Sequence, residues 1–408
     1  MKSAVDIGEP VVFDPFSPTY FNDPYDLYRR LRDEAPVHFN PSYGFWALAL
    51  NEDVSAAHKD WQTFSSTHGV DLATLRLDPE LIRAYRSIIM MDPPDHDRMR
   101  GLFSRVFTPR AMLAMEPMIR EVISGFADGL LGRDTFDGVD DFSALFPVEI
   151  ISRILGVPEA DRQQIRHWLD LSLHREAGEM YPTPEGQQAA ADSGAYFFAL
   201  AQEKRRHPGD DMLTQMTEVE MERVDGSKTR LDDGEIAGFA SLLGGAGAET
   251  VTKLVGNAWV LFAQHPDQWS DIVADASLIP NAVEEILRFQ PPSQYQGRFS
   301  VRDSEWQGVT IPAGHPVLLL TGSATRDERV YDQPDRFDIR RPPRQALGLG
   351  LGIHSCLGAA LARLESRVAL EEIARRWPNF AVDAEGLRRV QMSNVAGYSH
   401  VPVSSQTA

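Results

Sequence analysis

Between Asp232 and His265-Pro266 the sequence carries one long helical pattern. Asp232 and Glu235 have the spacing of a capping box, which satisfies two backbone donors at a helix start. Pro266 pushes its predecessor out of the helical region and ends the run. A helix of about 30 residues is roughly 45 Å long, enough to cross the whole molecule, so the rest of the chain must be arranged around it. Its middle reads Gly244-Gly245-Ala246-Gly247-Ala248-Glu249-Thr250. Each glycine there costs about 1 kcal/mol of helix propensity. The bare face suits either a close helix crossing or a flat ligand. An acid and a hydroxyl follow at once, and a threonine inside a helix can bond back to a carbonyl one turn earlier.

The second constraint is Leu347-Gly348-Leu349-Gly350-Leu351-Gly352-Ile353-His354-Ser355-Cys356-Leu357-Gly358, which holds the only cysteine of 408 residues. A strong helix former, Ala359 to Glu365, comes next. A glycine-rich loop thus delivers one thiol to a helix N-terminus. Glycine permits positive φ and close approach to a bulky partner. Free N–H groups and the helix dipole favour a thiolate there. By itself a lone cysteine reads as a small buried hydrophobe. In this setting it suits a soft anionic axial ligand, and haem iron is one centre that uses a single cysteine so.

The loop resembles the haem-binding loop of the cytochrome P450 family, Phe-Gly-x-Gly-x-His-x-Cys-x-Gly. Gly350, Gly352, His354, Cys356 and Gly358 match it, while Leu349 stands where the family has Phe. Three more motifs follow the family in order. His96 and Arg100 are four apart, share a helix face and can bind an anionic group. Ala246, Gly247, Glu249 and Thr250 fit the family's Ala/Gly-Gly-x-Asp/Glu-Thr, with Val251 where a second hydroxyl is usual. Glu285 and Arg288 fit its buried Glu-x-x-Arg, and Arg336 or Arg340 is expected to supply the third member.

The resemblance implies a mainly α fold with small β-sheets (α+β) and a long central helix over the haem. It implies one domain over residues 1–408, with 1–20 an irregular arm and 404–408 a loose tail. It implies haem b as cofactor, with Cys356 as iron ligand and His96, Arg100, Arg298 and His354 on the propionates. Ala246, Leu349, Gly350 and Gly358 belong to the same cofactor site. Glu249 and Thr250 would relay protons, and Leu243, Gln294, Tyr295 and Gln296 would line the substrate pocket. The activity implied is insertion of one atom of O2 into a C–H bond of a small lipophilic substrate. Electrons would come from a ferredoxin with its reductase, or from a flavodoxin. Arg340, Arg341 and Arg344, with Arg98, Arg105 and Arg110, could form a local basic patch for that acidic partner. A peroxide-driven peroxygenase and a haem protein that only binds a ligand are the alternatives. The Glu249/Thr250 pair argues against the first, because peroxide already supplies a reduced O–O bond.

The totals agree. A net charge of −19 argues against a general nucleic-acid or anionic-membrane surface. One cysteine excludes an internal disulfide, a Cys-cluster zinc site and an iron–sulfur cluster. The first ten residues have no apolar core of a signal peptide, and Ile236 to Ala248 is too short an apolar run to span a bilayer. The expectation is a cytoplasmic monomer. Elsewhere, Pro24 to Ala35 reads as a helix, the segments around Phe39 and Phe45 as paired strands, and Asn51 as a helix cap. The span from Arg162 to Arg206 reads as two helical patches around Tyr181-Pro182-Thr183-Pro184, a lid over the pocket in the family. Asp225-Gly226 is a turn, and a hairpin is expected around Ala396-Gly397-Tyr398.

Overall fold

The computed structural model describes residues 10–405 except 79, 81, 83–86, 105–106, 223–225 and 345–346. Arg105 and Asp225 therefore lie outside the described residues. The helices are α1 (Pro18–Asn22), α2 (Tyr25–Glu34), α3 (Asn51–Lys59), α4 (Asp95–Phe103), α5 (Pro109–Asp128), α6 (Phe146–Leu155), α7 (Arg162–Leu173), α8 (Pro184–Arg206), α9 (Met212–Glu218), α10 (Asp233–Gln264), α11 (Pro266–Ala274), α12 (Ile279–Phe289), α13 (Thr321–Ala324) and α14 (Ala359–Arg376). The expected mainly α architecture with small sheets is what folds.

The long helix is α10, and its capping box forms. Glu235 N–H donates to Asp232 Oδ1 at 2.8 Å, and Asp232 N–H donates to Glu235 Oε2 at 2.9 Å. The glycines do not break it. Helices α6, α7 and α8 press on it, and a Cβ at Gly244, Gly245 or Gly247 would lie 3.2, 3.1 and 3.2 Å from Phe197, Leu169 and Ile151. The bare faces of these glycines are therefore helix crossings, and close packing offsets their poor propensity. The ligand-facing stripe is narrower than the sequence suggested. Helices α12 and α14 pack on α10 from elsewhere, and the largest hydrophobic core runs through all of them.

Two short strands, β1 (Val37–Asn40) and β2 (Phe45–Leu48), pair antiparallel with Val37 opposite Leu48. They join β3 (Phe64–Ser65), β7 (Gln296–Ser300) and β10 (His315–Leu319) in a sheet of order β1-β2-β10-β7-β3. Between these in sequence lie β4 (Thr135–Asp137), the pair β5 (Glu220–Glu222) and β6 (Lys228–Arg230), and the hairpin β8 (Ser304–Trp306) and β9 (Val309–Ile311). The chain ends with β11 (Phe380–Val382), β12 (Arg388–Arg389), β13 (Tyr398–His400) and β14 (Pro402–Ser405).

Three local expectations change. Asn51 is the first helical residue, not the cap; its side chain reaches across to the Ala324 carbonyl at 2.8 Å. The N-terminal arm contains α1, and Phe13, Phe16 and Tyr20 are buried in a second core with Phe45 and Tyr295. Ser404 and Ser405 are not a loose tail, because β14 sits between β11 and β4, where sequence-distant strands satisfy both its edges. Among the described residues no helix is long and apolar enough to cross a membrane.

Candidate active site

The cysteine loop is held by its own backbone. Gly350 N–H donates to the Leu347 carbonyl and Cys356 N–H to the Leu349 carbonyl, each at 2.8 Å. Gly350 and Gly352 have φ of 68° and 69°, the left-handed region that glycine enters without strain. At Gly352 space demands glycine as well, since a Cβ would come 2.3 Å from the His58 carbonyl oxygen. Helix α14 begins at Ala359, as the loop-to-helix pattern predicts. A Cβ at Gly358 would have no neighbour within 4 Å. Leu349 is half-buried and packs on the main core.

Burial pushes the Cys356 thiol above its ordinary pKa, and the Gly358 N–H, Arg100 and Arg363 only partly oppose this. The residue is nevertheless accessible. Iron bound there would supply the positive charge that a thiolate needs.

Four cationic or donor side chains converge near this loop. The His96 and His354 rings meet edge to face with centroids 4.6 Å apart. The Nε2 atoms of both are buried without a partner. Burial, then the charges of Arg298, His96 and Arg100, press His354 down to about 2. Arg298 is buried, and its one hydrogen bond is to the neighbouring Gly297 carbonyl at 2.7 Å. Burial lowers its pKa to about 10 against the pull of Asp92. Among the described residues no carboxylate pairs with it. Arg100 Nη2 donates to the Ser355 carbonyl at 2.7 Å, which ties α4 to the cysteine loop. A buried guanidinium with no carboxylate in contact is costly, as are two orphaned imidazole nitrogens. The set is short of acceptors, and a flat ligand bearing two carboxylates beside the thiol meets that need.

On α10, Ala246 is exposed and Thr250 half-exposed although the residues around them are largely buried. Thr250 Oγ1 donates back to the Ala246 carbonyl at 2.8 Å. Leu243 lies one turn earlier and is buried. Glu249 turns another way. It is buried, and its Oε1 lies 2.6 Å from Lys253 Nζ. Burial, with the field of Asp170, raises its pKa against the pull of Lys253. The acid and alcohol are adjacent in sequence but point to different surroundings.

Glu285 and Arg288 form the expected buried pair, with the Arg288 Nε and Nη2 each 2.7 Å from a carboxylate oxygen. The third member is neither Arg336 nor Arg340. Arg341 Nε lies 3.3 Å from Glu285 Oε1, while Arg336 contributes only its carbonyl and Arg340 pairs with Asp271 at 2.5 Å. The substrate-pocket reading of Gln294, Tyr295 and Gln296 also changes. Gln294 donates to the Pro291 carbonyl inside the core, and Tyr295 packs by Tyr20 with its hydroxyl 3.3 Å from Ser393. Gln296 is spent between Ser293 and Thr321. A strand alternates its faces, and here the polar ends are used within the protein. The basic patch is thinner than expected, since Arg98 pairs with Asp95, Arg340 and Arg341 have acids, and Arg344 lies over Tyr331. Sequence reading missed Lys253 and Arg341. The first was legible as an i, i+4 partner of Glu249; the second had no local signal.

The cytochrome P450 family model matches residues 267–383. Cytochrome P450 123 of Mycobacterium tuberculosis is 41% identical over 404 residues, covering 98% of this chain and 99% of that protein. The vitamin D(3) 25-hydroxylase of Pseudonocardia autotrophica is 36% identical over 404 residues, 96% of each chain. The structure of cytochrome P450 CYP109Q5 from Chondromyces apiculatus superposes with a TM-score of 0.85 at 33% identity, over 97% of this chain and 98% of that one. Likeness at this level, spanning nearly whole chains in sequence and in space, places the protein in the cytochrome P450 family, the haem b-dependent monooxygenases.

Proposed function

We propose that this enzyme hydroxylates a sterol-sized lipophile, with Cys356 as the axial ligand and electrons from a separate ferredoxin system or flavodoxin. The observation that carries the site assignment is the acceptor-short cluster of His96, His354, Arg298 and Arg100 beside the Cys356 loop. These four would hold the haem propionates through charge-assisted bonds. A haem on a thiolate supplies activation of O2, so that one oxygen atom enters a C–H bond.

The chain's own residues do the rest. The Arg100–Ser355 bond fixes α4 against the loop, and the Cys356–Leu349 backbone bond sets the thiol's direction. Thr250 donates its O–H hydrogen bond to the Ala246 carbonyl and keeps its lone pairs free to accept one. Glu249 stores a proton within reach of exchange with water. Leu243 and the small residues of α10 offer an apolar wall. The substrate class is supported by likeness to the vitamin D(3) hydroxylase and by the internal commitment of Gln294, Tyr295 and Gln296. A cytoplasmic monomer fits the strongly negative charge, which opposes self-association.

The test is spectroscopic. Haem-loaded protein, reduced under CO, should give the thiolate-type Soret band, and secosteroids should shift the Soret band of the oxidised form. Retention of the thiolate-type CO band in Cys356→Ala would overturn the ligand assignment. No Soret shift with any sterol-sized lipophile would overturn the substrate class.

A further inference from the structure

Arg175 lies just past the end of α7, in the segment that joins α7 to α8. It is 4% exposed. Its bonds go to backbone carbonyls. Nε donates to Met180 at 3.0 Å, and Nη1 donates to Ser172 and to His174 at 2.9 Å each. A guanidinium carries five N–H groups, so the two on Nη2 are left over. They have no acceptor among the described residues, and no carboxylate there touches the group. Burial lowers the Arg175 pKa, and only the fields of Asp71 and Tyr295 oppose this.

The joining segment is tied down on three sides. Gly178 N–H donates to the Phe16 carbonyl and Arg175 N–H to the Gln391 carbonyl, each at 2.8 Å, and Met180 packs on the second core. The guanidinium is thus held in place before any ligand arrives, which lowers the ordering cost of binding. The partner stretch around Gln391 is apolar. Val390, Met392 and Val395 form a small buried cluster there, and Leu173 from α7 packs on it. A cation with spare donors is therefore anchored to a patch of hydrocarbon, an arrangement suited to one end of an amphipathic molecule.

We propose that Arg175 selects substrates that carry a carboxylate, so that the preferred lipophile is a sterol-sized carboxylic acid. The inference rests on the sterol-sized reading given above and names the polar group that reading leaves open. The polar ends of Gln294, Tyr295 and Gln296 are spent within the protein, whereas Arg175 has donors to spare. An acid suits it better than an alcohol or a ketone. A charged acceptor makes a bond about twice as strong as a neutral one. It also neutralises a buried cation, which a neutral group or a water cannot do. Asp71 limits the gain without replacing it. Its Oδ1 accepts from the Ala73 and Thr74 N–H groups at 3.0 Å each, and it acts on Arg175 through its field. Neutral sterols still enter, but bind more weakly.

The experiment compares lithocholic acid with its methyl ester, by Soret titration of haem-loaded protein. The two share their ring system and carbonyl and differ in charge. The wild type should bind the acid about tenfold tighter or more. Arg175→Met should lose that preference and keep the affinity for the ester. Arg175→Lys should keep part of the preference, because it retains the charge on a differently shaped head. Asp71→Asn keeps the Oδ1 acceptor and removes a competing charge, so it should tighten the acid several-fold and leave the ester alone. Equal affinity of the wild type for acid and ester overturns the inference and leaves the sterol-sized reading standing. Equal loss of acid and ester in Arg175→Met overturns it too, since the residue then only holds the joining segment. No shift with either compound also overturns it, whereas the sterol-sized reading falls only if secosteroids fail as well.

Discussion

Arg341 Nε stands 3.3 Å from Glu285 Oε1, the same oxygen that accepts from Arg288 and from the Asp338 N–H. One buried carboxylate thus ties α12 to the segment before the cysteine loop. Removing Arg341 strands part of that charge, and Arg341→Ala should cost about 1–3 kcal/mol in urea denaturation. Glu285→Ala should cost about 3–5 kcal/mol. Arg340 shares an exposed pair with Asp271, so Arg340→Ala should stay within about 1 kcal/mol of the wild type. Equal losses for Arg340→Ala and Arg341→Ala would contradict the network.

Arg298 offers a test in which two properties move in opposite directions. Its guanidinium is buried, with no carboxylate in contact among the described residues, and the field of Asp92 offsets that burial only in part. Arg298→Leu should make the haem-free protein more stable, by about 1–4 kcal/mol, because a buried charge that Asp92 compensates only in part is gone. The same change should speed haem transfer to an acceptor globin by about tenfold or more. A variant that loses stability and keeps its haem would argue that Arg298 serves the fold.

Leu349 lends its carbonyl to the Cys356 N–H and its half-buried side chain to the core. It is a smaller shield beside the thiol than the ring found in the family. Leu349→Phe should shift the reduction potential and slow haem loss relative to the wild type. The two proteins should differ in potentiometric titration and in transfer rate; coincident curves in both would remove any role for this departure.

His58 predicts an acid limb of stability. It is buried, and burial followed by the Arg298 charge presses it down to about 3 against the opposing pull of Gln296. An unfolded histidine binds its proton near pH ~6.5. Between those values the unfolded chain holds the extra proton, so stability is full above the unfolded pKa and falls as pH drops toward the folded one. The slope is about 1.4 kcal/mol per pH unit for this one group. Urea midpoints of haem-free His58→Phe should fall less steeply than wild type from about pH 6 to pH 4. Parallel lines would show that His58 does not carry the dependence.

The sequence by itself determined the elements whose signals are local. The Asp232/Glu235 box and His265-Pro266 bounded α10, and the glycine spacing before Cys356 defined a loop that only positive φ can close. The ordered set of His96/Arg100, Glu249/Thr250, Glu285/Arg288 and Cys356 was enough for the family, because each motif encodes a local geometry. Tertiary structure alone decided what depends on distant partners. It filled the faces of Gly244, Gly245 and Gly247 with other helices, and chose Arg341 over Arg336 and Arg340. It also turned Gln294 and Tyr295 into the core and set Glu249 against Lys253, away from the setting of Thr250. The reason is physical. Caps, turns and periodicity are fixed by neighbours along the chain, whereas burial, and with it the ionisation of Cys356 and Glu249, is fixed by whatever the rest of the fold brings alongside.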